Sequence, residues 1–336
     1  MNQQPPSLLA VRTRPQELSP STVEEVVLLG TTLRWGVNVS QLEPLIHSAC
    51  SLWQRAQVPP TGNEGALSLF WFPLGEYEAT TGYLFPHAPA RSVLHHPAEG
   101  MALIQDHVAT VVLTASEVPQ RSFLLGFALE AVLKRPPFYQ IHAAAVEKEG
   151  RAVLLAAESG RGKSALSLFL TLCCGYRYLG DDAILIDGRT TVLIGAPDRI
   201  EIWPEVAELV LASGISIPER VISWKGSRRG GGRKMVLPAE ALLGDRTAVM
   251  APLAAVVFLE EGEDFAVRRV APSRARGLLR PVPLFGRRSL VWGWRPIAER
   301  LVRSVPFLSL RIDHPSDPRE NARRFDAVLQ EVLFSA

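Results

Sequence analysis

The residues Ala157-Glu158-Ser159-Gly160-Arg161-Gly162-Lys163-Ser164 have the types and spacing of a loop that holds phosphate. The general pattern is G-x-x-x-x-G-K-[ST], and Ala157 stands where its first glycine would be. Gly160 and Gly162 let the backbone turn tightly and aim successive N–H groups at phosphate oxygens. A helix starting near Lys163 adds unpaired N–H groups and the positive end of its dipole. Lys163 is suited to neutralise the β- and γ-phosphates of a nucleoside triphosphate, and the Ser164 hydroxyl to ligate magnesium. The competing reading is a glycine-rich turn without a ligand. By average residue usage, S-G-x-G-K-[ST] arises by chance in a chain this long on the order of one time in a thousand. The run is also preceded by an apolar strand pattern and followed by an amphipathic helix pattern. Both points favour a nucleotide loop, with Ser159, Gly160, Arg161, Gly162, Lys163, Ser164 and Ala165 around the phosphates.

Three further places hold residues suited to the same chemistry. Asp181 and Asp182 end a short strand after the loop's helix. Gly-Asp-Asp alone is more often a turn. Beside a phosphate loop it gains a second meaning, because phosphoryl transfer to a hydroxyl needs a carboxylate to accept the proton. If the strand of Asp181 lies beside the loop's strand, its carboxyl end opens onto the phosphates. His142 stands alone at a strand edge, where a histidine is more often structural. The segment Gly226–Lys234 sets Arg228, Arg229, Arg233 and Lys234 among glycines. Such a loop either closes over phosphates and supplies charge in the transition state, or is a solvated surface loop. Arg233 and Lys234 are its candidates for phosphate contact. Arg287-Arg288 and Arg323-Arg324 read as ordinary surface.

The elements that must position these residues follow from periodicity and turn chemistry. After a polar, proline-bearing lead over residues 1–20, Glu24–Asn38 reads as a strand and Gln41–Arg55 as a helix. Leu67–Phe72, Tyr83–Phe85 and Ala109–Thr114 read as further strands, and Ser122–Leu133 as a helix. Lys134-Arg135-Pro136-Pro137 cannot continue that helix, and a boundary is expected there. The expected division is an accessory α+β domain over 1–136 and a nucleotide-binding domain over 137–336. In the second, His142–Val146 leads to a turn at Glu149-Gly150, the strand Ala152–Ala156, the loop, and a helix over Lys163–Cys174 capped by Gly175. Tyr176–Leu179 is a short strand. Ala183–Ile186 and Thr191–Ile194 form a hairpin. Leu253–Leu259 and Phe265–Val270 are expected to pair through a turn at Glu261–Asp264, and Arg319–Phe334 is an amphipathic helix.

Bulk properties narrow the partners. In 336 residues, 47% hydrophobic and 21% charged residues suffice for a folded core, and a net charge of +2 gives no electrostatic case for nucleic acid or an anionic membrane. The start lacks the basic and apolar pattern of a signal peptide, and no apolar run approaches a membrane span. Cys50, Cys173 and Cys174 form neither a metal-ligand pattern nor a disulfide framework. A cytoplasmic protein that binds neither membrane nor nucleic acid is the expectation.

The stretch His142–Asp182 resembles the catalytic domain of HPr kinase/phosphorylase and its relatives. That family has a histidine ahead of a strand, a loop of the form G-x-S-G-x-G-K-S and a paired aspartate after the next helix. Here these are His142, Ala157–Ser164 and Asp181-Asp182. Ile200–Pro204, Lys234–Pro238, Pro252–Leu259 and Val305–Pro315 look more loosely like the HPr-kinase-related branch. The resemblance implies an α/β fold: a P-loop kinase domain of the HPr-kinase/PEP-carboxykinase-like type, preceded here by a smaller α+β domain. It implies ATP and Mg2+ as cofactors. It makes Asp181 the general base and Asp182 a holder of magnesium or its water, or the reverse. It sets His142 near the γ-phosphate, orienting Asp181 or the acceptor. Family members are often oligomers, so a homo-oligomer is expected on that ground. Two positions depart from the family pattern. Ala165 stands where the family has an acidic residue, and Arg199–Leu209 differs from its glycine-rich signature. The reverse reaction, a second metal and HPr itself as substrate are therefore not carried over.

The expected function is an ATP-dependent serine kinase, a phosphotransferase whose acceptor is a serine of a peptide or small protein. A kinase of a small molecule and a nucleotide-gated binding protein remain the alternatives.

Overall fold

The computed structural model describes residues 22–29, 31–54, 61–72, 93–96, 99–105, 108–119, 122–133, 137–158, 160–217, 223–226, 233–262, 264–282, 293–313 and 317–333. The chain is a mixed α/β protein with three sheets among the described residues, and it divides into two compact units, Met1–Arg135 and Pro136–Ala336. Among the described residues, no helix is long and apolar enough to cross a membrane.

The first unit contains β1 (Thr22–Leu28), β2 (Thr31–Val37), α1 (Glu43–Gln54), β3 (Glu64–Phe72), β4 (Val93–His96), β5 (Gly100–Gln105), β6 (Val108–Thr114) and α2 (Phe123–Leu133). Its six strands run in the order β1-β2-β3-β6-β5-β4. Alternation decides which face is buried: Leu33, Trp35 and Val37 are inside while Arg34 is exposed, and Leu67 and Leu69 are inside while Ala66 and Ser68 are half-exposed. Two helices pack on this sheet and touch each other. The expected single strand over Glu24–Asn38 is two strands, an antiparallel hairpin that reverses near Leu29, whose φ is 50°. A run that long exceeds the usual strand, and Gly30 is the punctuation that divides it. The expected strand Tyr83–Phe85 lies outside the described residues. The strands β4 and β5 carry no expectation from the sequence.

The second unit contains β7 (Phe138–Ile141), β8 (Ala143–Lys148), β9 (Arg151–Ala156), α3 (Lys163–Cys173), β10 (Arg177–Gly180), β11 (Ile184–Asp187), β12 (Val192–Ile194), β13 (Arg199–Ile202) and α4 (Pro204–Ala212). It continues with β14 (Ser223–Gly226), β15 (Arg233–Pro238), α5 (Ala239–Leu243), β16 (Met250–Gly262), β17 (Ala266–Arg269), α6 (Pro272–Leu278), α7 (Trp294–Ser304), β18 (Phe307–Asp313) and α8 (Pro318–Leu333). Nine strands make one branched sheet, in which the path β10-β8-β9-β16-β12-β11-β7 carries β18 and then β17 on a side arm from β16. β13, β15 and β14 form a separate small sheet.

The large sheet is buried on both faces, and the strands read accordingly as near-continuous apolar runs. Ala144, Val146, Val153 and Leu155 face one core with Leu166 and Phe169 of α3 and Phe325 and Leu329 of α8. Their neighbours Ala143, Ala145, Ala152 and Leu154 face the other core, with Trp294, Ile297 and Leu301 of α7. A Leu fully buried this way stabilises by about 1.5–3 kcal/mol. The Lys148 ammonium locks α8 to the C-terminal end of α3, lying 3.1 Å from the Asp326 carboxylate and donating to the Cys174 carbonyl at 2.9 Å. Cys174 is the residue that caps α3, and Gly175 follows it with φ 74°.

Two pairings differ from expectation. β17 does not pair with β16; β18 lies between them, parallel to β16 and antiparallel to β17. The turn after β16 passes over β18 and is held by an Asp264–Arg311 ion pair at 3.1 Å. The strand of the aspartates, β10, also does not lie beside the loop strand β9. β8 separates them, because β8 and β9 form a tight hairpin through Glu149 and Gly150, both with positive φ. Since β8 is antiparallel to both, β9 and β10 still end on the same edge of the sheet.

Candidate active site

The loop leaves the end of β9 and enters α3. Gly160 and Gly162 have φ of 88° and 82°, the left-handed backbone that a side chain would strain. Ala157 is not among the residues with positive φ, so its Cβ carries no such strain. Ser159 lies outside the described residues. Lys163, the first residue of α3, is buried, and its ammonium donates to the carbonyls of Ala157 at 3.0 Å and Glu158 at 3.1 Å. The Arg161 guanidinium pairs with Glu261 near the end of β16.

The two aspartates have different surroundings. The Asp181 carboxylate accepts a hydrogen bond from the Asp182 N–H at 2.8 Å. Burial, and then the charge of Asp182, push the Asp181 carboxyl above the ordinary aspartate value, while Ser164 and Lys163 pull against them. Lys163 is its counterpart. Burial lowers the ammonium's pKa, Asp181 and Asp182 oppose that, and Lys234 adds to it. Lys163 therefore feels the charges of Asp181, Asp182 and Lys234 together. Asp182 has φ 64°, tolerated best by Asp, Asn and Gly, and this turns its side chain toward the cleft. The His142 Nδ1 lies 3.3 Å from the Asp182 carbonyl oxygen and 3.7 Å from its carboxylate. The histidine thus meets Asp182, whereas the sequence reading had it orient Asp181 or the acceptor.

Lys163, Asp182 and Lys234 line a cleft of about 230 Å³, floored by Gly160 through Leu166; Asp181 and His142 lie behind its lining. Of the basic segment, Lys234 reaches the cleft and its ammonium lies 5.8 Å over the Trp203 ring. Arg233 is exposed and does not line it, and residues 227–232, with Arg228 and Arg229, lie outside the described residues. The remaining wall comes from Glu201 and Ile202 at the end of β13, Trp203 and Val206 at the start of α4, Ile312 at the end of β18, and Pro318 and Asn321 in the first turn of α8. The sequence does not single out the last three as site residues. The only signal nearby is Asp317-Pro318, a cap followed by proline at the first helical position. The Asp317 carboxylate accepts the Arg319 N–H at 2.9 Å and so fixes that turn.

Among the described residues, no group of three or more His, Cys, Asp or Glu could hold a metal. Magnesium that arrives with a nucleotide needs only one or two carboxylates and a hydroxyl besides the phosphates. Ser164, Asp181 and Asp182 supply that donor set of hard oxygens.

A solved structure, that of the HPr(Ser) kinase/phosphatase from Coxiella burnetii, is similar over 57% of this chain and 94% of its own, at 14% identity and a TM-score of 0.30. No protein-family profile matches the chain, and no curated protein sequence matches it.

Proposed function

We propose that this protein is an ATP-dependent kinase that transfers the γ-phosphate to a hydroxyl, with a serine of a peptide or small protein as the acceptor. The observation that carries the reading is the meeting of Lys163, Ser164, Asp182 and Lys234 on one cleft, with the Asp181 charge felt by Lys163 beside it. Chain elements far apart in sequence converge there on the groups that phosphoryl transfer requires.

The roles follow from what each group touches. Lys163 exchanges its loop carbonyls for the phosphates. Asp181 and Ser164 would hold magnesium, which would neutralise charge on the β- and γ-phosphates when bound. Asp182 faces the cleft and takes the acceptor's proton as the hydroxyl oxygen attacks the γ-phosphorus and ADP leaves. His142 steadies Asp182, and Lys234 adds positive charge beside the transferring group. This exchanges the two aspartates relative to the first order implied by the resemblance. The serine acceptor rests on the resemblance in the loop and aspartate motifs.

Incubation of the full chain with γ-labelled ATP, magnesium and fractionated lysate tests the reading. Label on a peptide or small protein is the expected result. Label on a metabolite would make it a small-molecule kinase. Nucleotide binding without transfer would make it a nucleotide-gated binding protein.

A further inference from the structure

The cleft lies along one edge of the large sheet. The loop sits at the end of β9. The aspartates end β10, two strands away on one side, and Ile312 lies near the end of β18, two strands away on the other. β9, β16 and β18 are parallel, so their C-terminal ends share one edge with that of β10. Each displacement is about 10 Å at the usual strand spacing. With phosphates on the loop and the reacting hydroxyl at Asp182, the cleft continues away from the aspartates toward β18, where Ile312 lines it.

The lining changes character along that direction. Near β10 it is Asp182 and Lys234; near β18 it is Ile312 and Pro318, with Val206 across the cleft from α4. Apolar walls suit the faces of a planar ring. Asn321, which is 3% exposed, lines this end together with Arg161, whose guanidinium pairs with Glu261 beside Ile312. The Asn321 carboxamide offers an acceptor and a donor side by side, the complement of adenine's amino group and adjoining ring nitrogen. The wall is fixed before a ligand arrives. Asp317 caps α8, and the Arg319 guanidinium reaches Ser213 after α4 at 3.4 Å, tying the two sides together.

We infer that the β18 end of the cleft is the nucleobase subsite, with Val206, Ile312 and Pro318 enclosing the ring and Asn321 hydrogen-bonding its edge. This rests on the nucleotide-loop reading above and adds the residues that make the site bind a nucleotide instead of any polyphosphate.

The test uses the full chain and calorimetry with two probes, Mg-ATP and magnesium tripolyphosphate, which shares the phosphates and lacks the base. The parent protein should bind ATP at least about tenfold more tightly, the worth of one good bidentate base contact. Asn321→Leu keeps the side chain's size and should remove most of that preference, leaving tripolyphosphate binding as it was. Val206→Trp, which fills the space for the ring, should do the same by exclusion. Variants that bind tripolyphosphate and keep the full ATP preference would overturn the base subsite while the loop assignment stood. A parent protein that binds neither probe would overturn the nucleotide-loop reading itself.

Discussion

The sheets of the two units are built from similar strands and end in different roles. In the first unit, alternation leaves Arg34 exposed and Ser68 half-exposed on one face, with Phe70 and Val112 buried farther along it, and the helices cover the other. In the second, both faces of the large sheet are packed, one under α3 and α8 and the other under α7. A sheet clamped from both sides leaves its strand ends as the place where loops meet solvent, and holds those ends at fixed spacing. The loop, the aspartates and the cleft all lie on that edge. The first unit has strands and a core, but its described residues gather no comparable set of charges. What positions chemistry is the clamped edge, and the contrast predicts where substitutions hurt.

The largest effect belongs to Asp182. Asp182→Asn keeps the shape and cannot accept a proton, so phosphate transfer should fall by about a hundred- to ten-thousand-fold while Mg-ATP still binds. Asp181→Asn should lose transfer in a way that added magnesium partly restores. Rates at graded magnesium separate the two roles; if magnesium rescues Asp182→Asn and not Asp181→Asn, the roles are reversed. Next is Lys163→Ala, which removes the ammonium aimed at the phosphates. Calorimetry should show Mg-ATP affinity weakened by about 2–5 kcal/mol in a folded protein, and unchanged affinity would end the loop assignment.

How much of this is legible in the sequence depends on distance along the chain. The loop, its helix and the β11–β12 hairpin are local, and Gly160, Gly162, Lys163 and Asp187-Gly188 announce them. The pairing of β18 with β16 is not local, and neither is the insertion of β8 between β9 and β10. Such neighbours are chosen by packing across many residues, which a periodicity in one segment does not encode. For the same reason Asn321 and Ile312 read only as a helix residue and a strand residue until the fold brings them to the cleft. The short strands β4 and β5 are missed because short apolar runs near glycine have no distinctive period.

A smaller effect is expected at Asp187, in the clamped sheet but away from the cleft. Burial alone would raise its carboxyl, but hydrogen bonds from the Arg189 side chain and backbone outweigh it and hold the group below the ordinary value. The guanidinium contacts both carboxylate oxygens, at 3.1 and 2.9 Å. Asp187→Ala should cost about 2 kcal/mol of stability, read from denaturant unfolding at neutral pH. Because the folded value is lowered, the stabilisation is whole above the unfolded value of about 3.9 and fades as pH falls through the folded one. The gap between parent and variant should therefore close in acid; a gap that persists there would mean packing, not charge, sets the cost. The smallest effect is expected in the other sheet. Val27 on β1 is 57% exposed, and Val27→Thr should change stability by no more than about 0.5 kcal/mol. A larger loss in the same unfolding measurement would mean that this face of the first unit is covered.

The length of β16 has a further consequence in time. β9 finds one partner at once in β8, its hairpin neighbour, but its other edge waits for β16, on the order of a hundred residues later in the chain. Until Met250–Gly262 emerges, a nascent chain carries the strand that launches the loop with an unpaired apolar edge. Parallel pairings of such separation form slowly and leave intermediates prone to association. Ribosome-bound chains ending before Met250 should therefore be open to proteolysis near β9, and those extending past α8 should be closed to it.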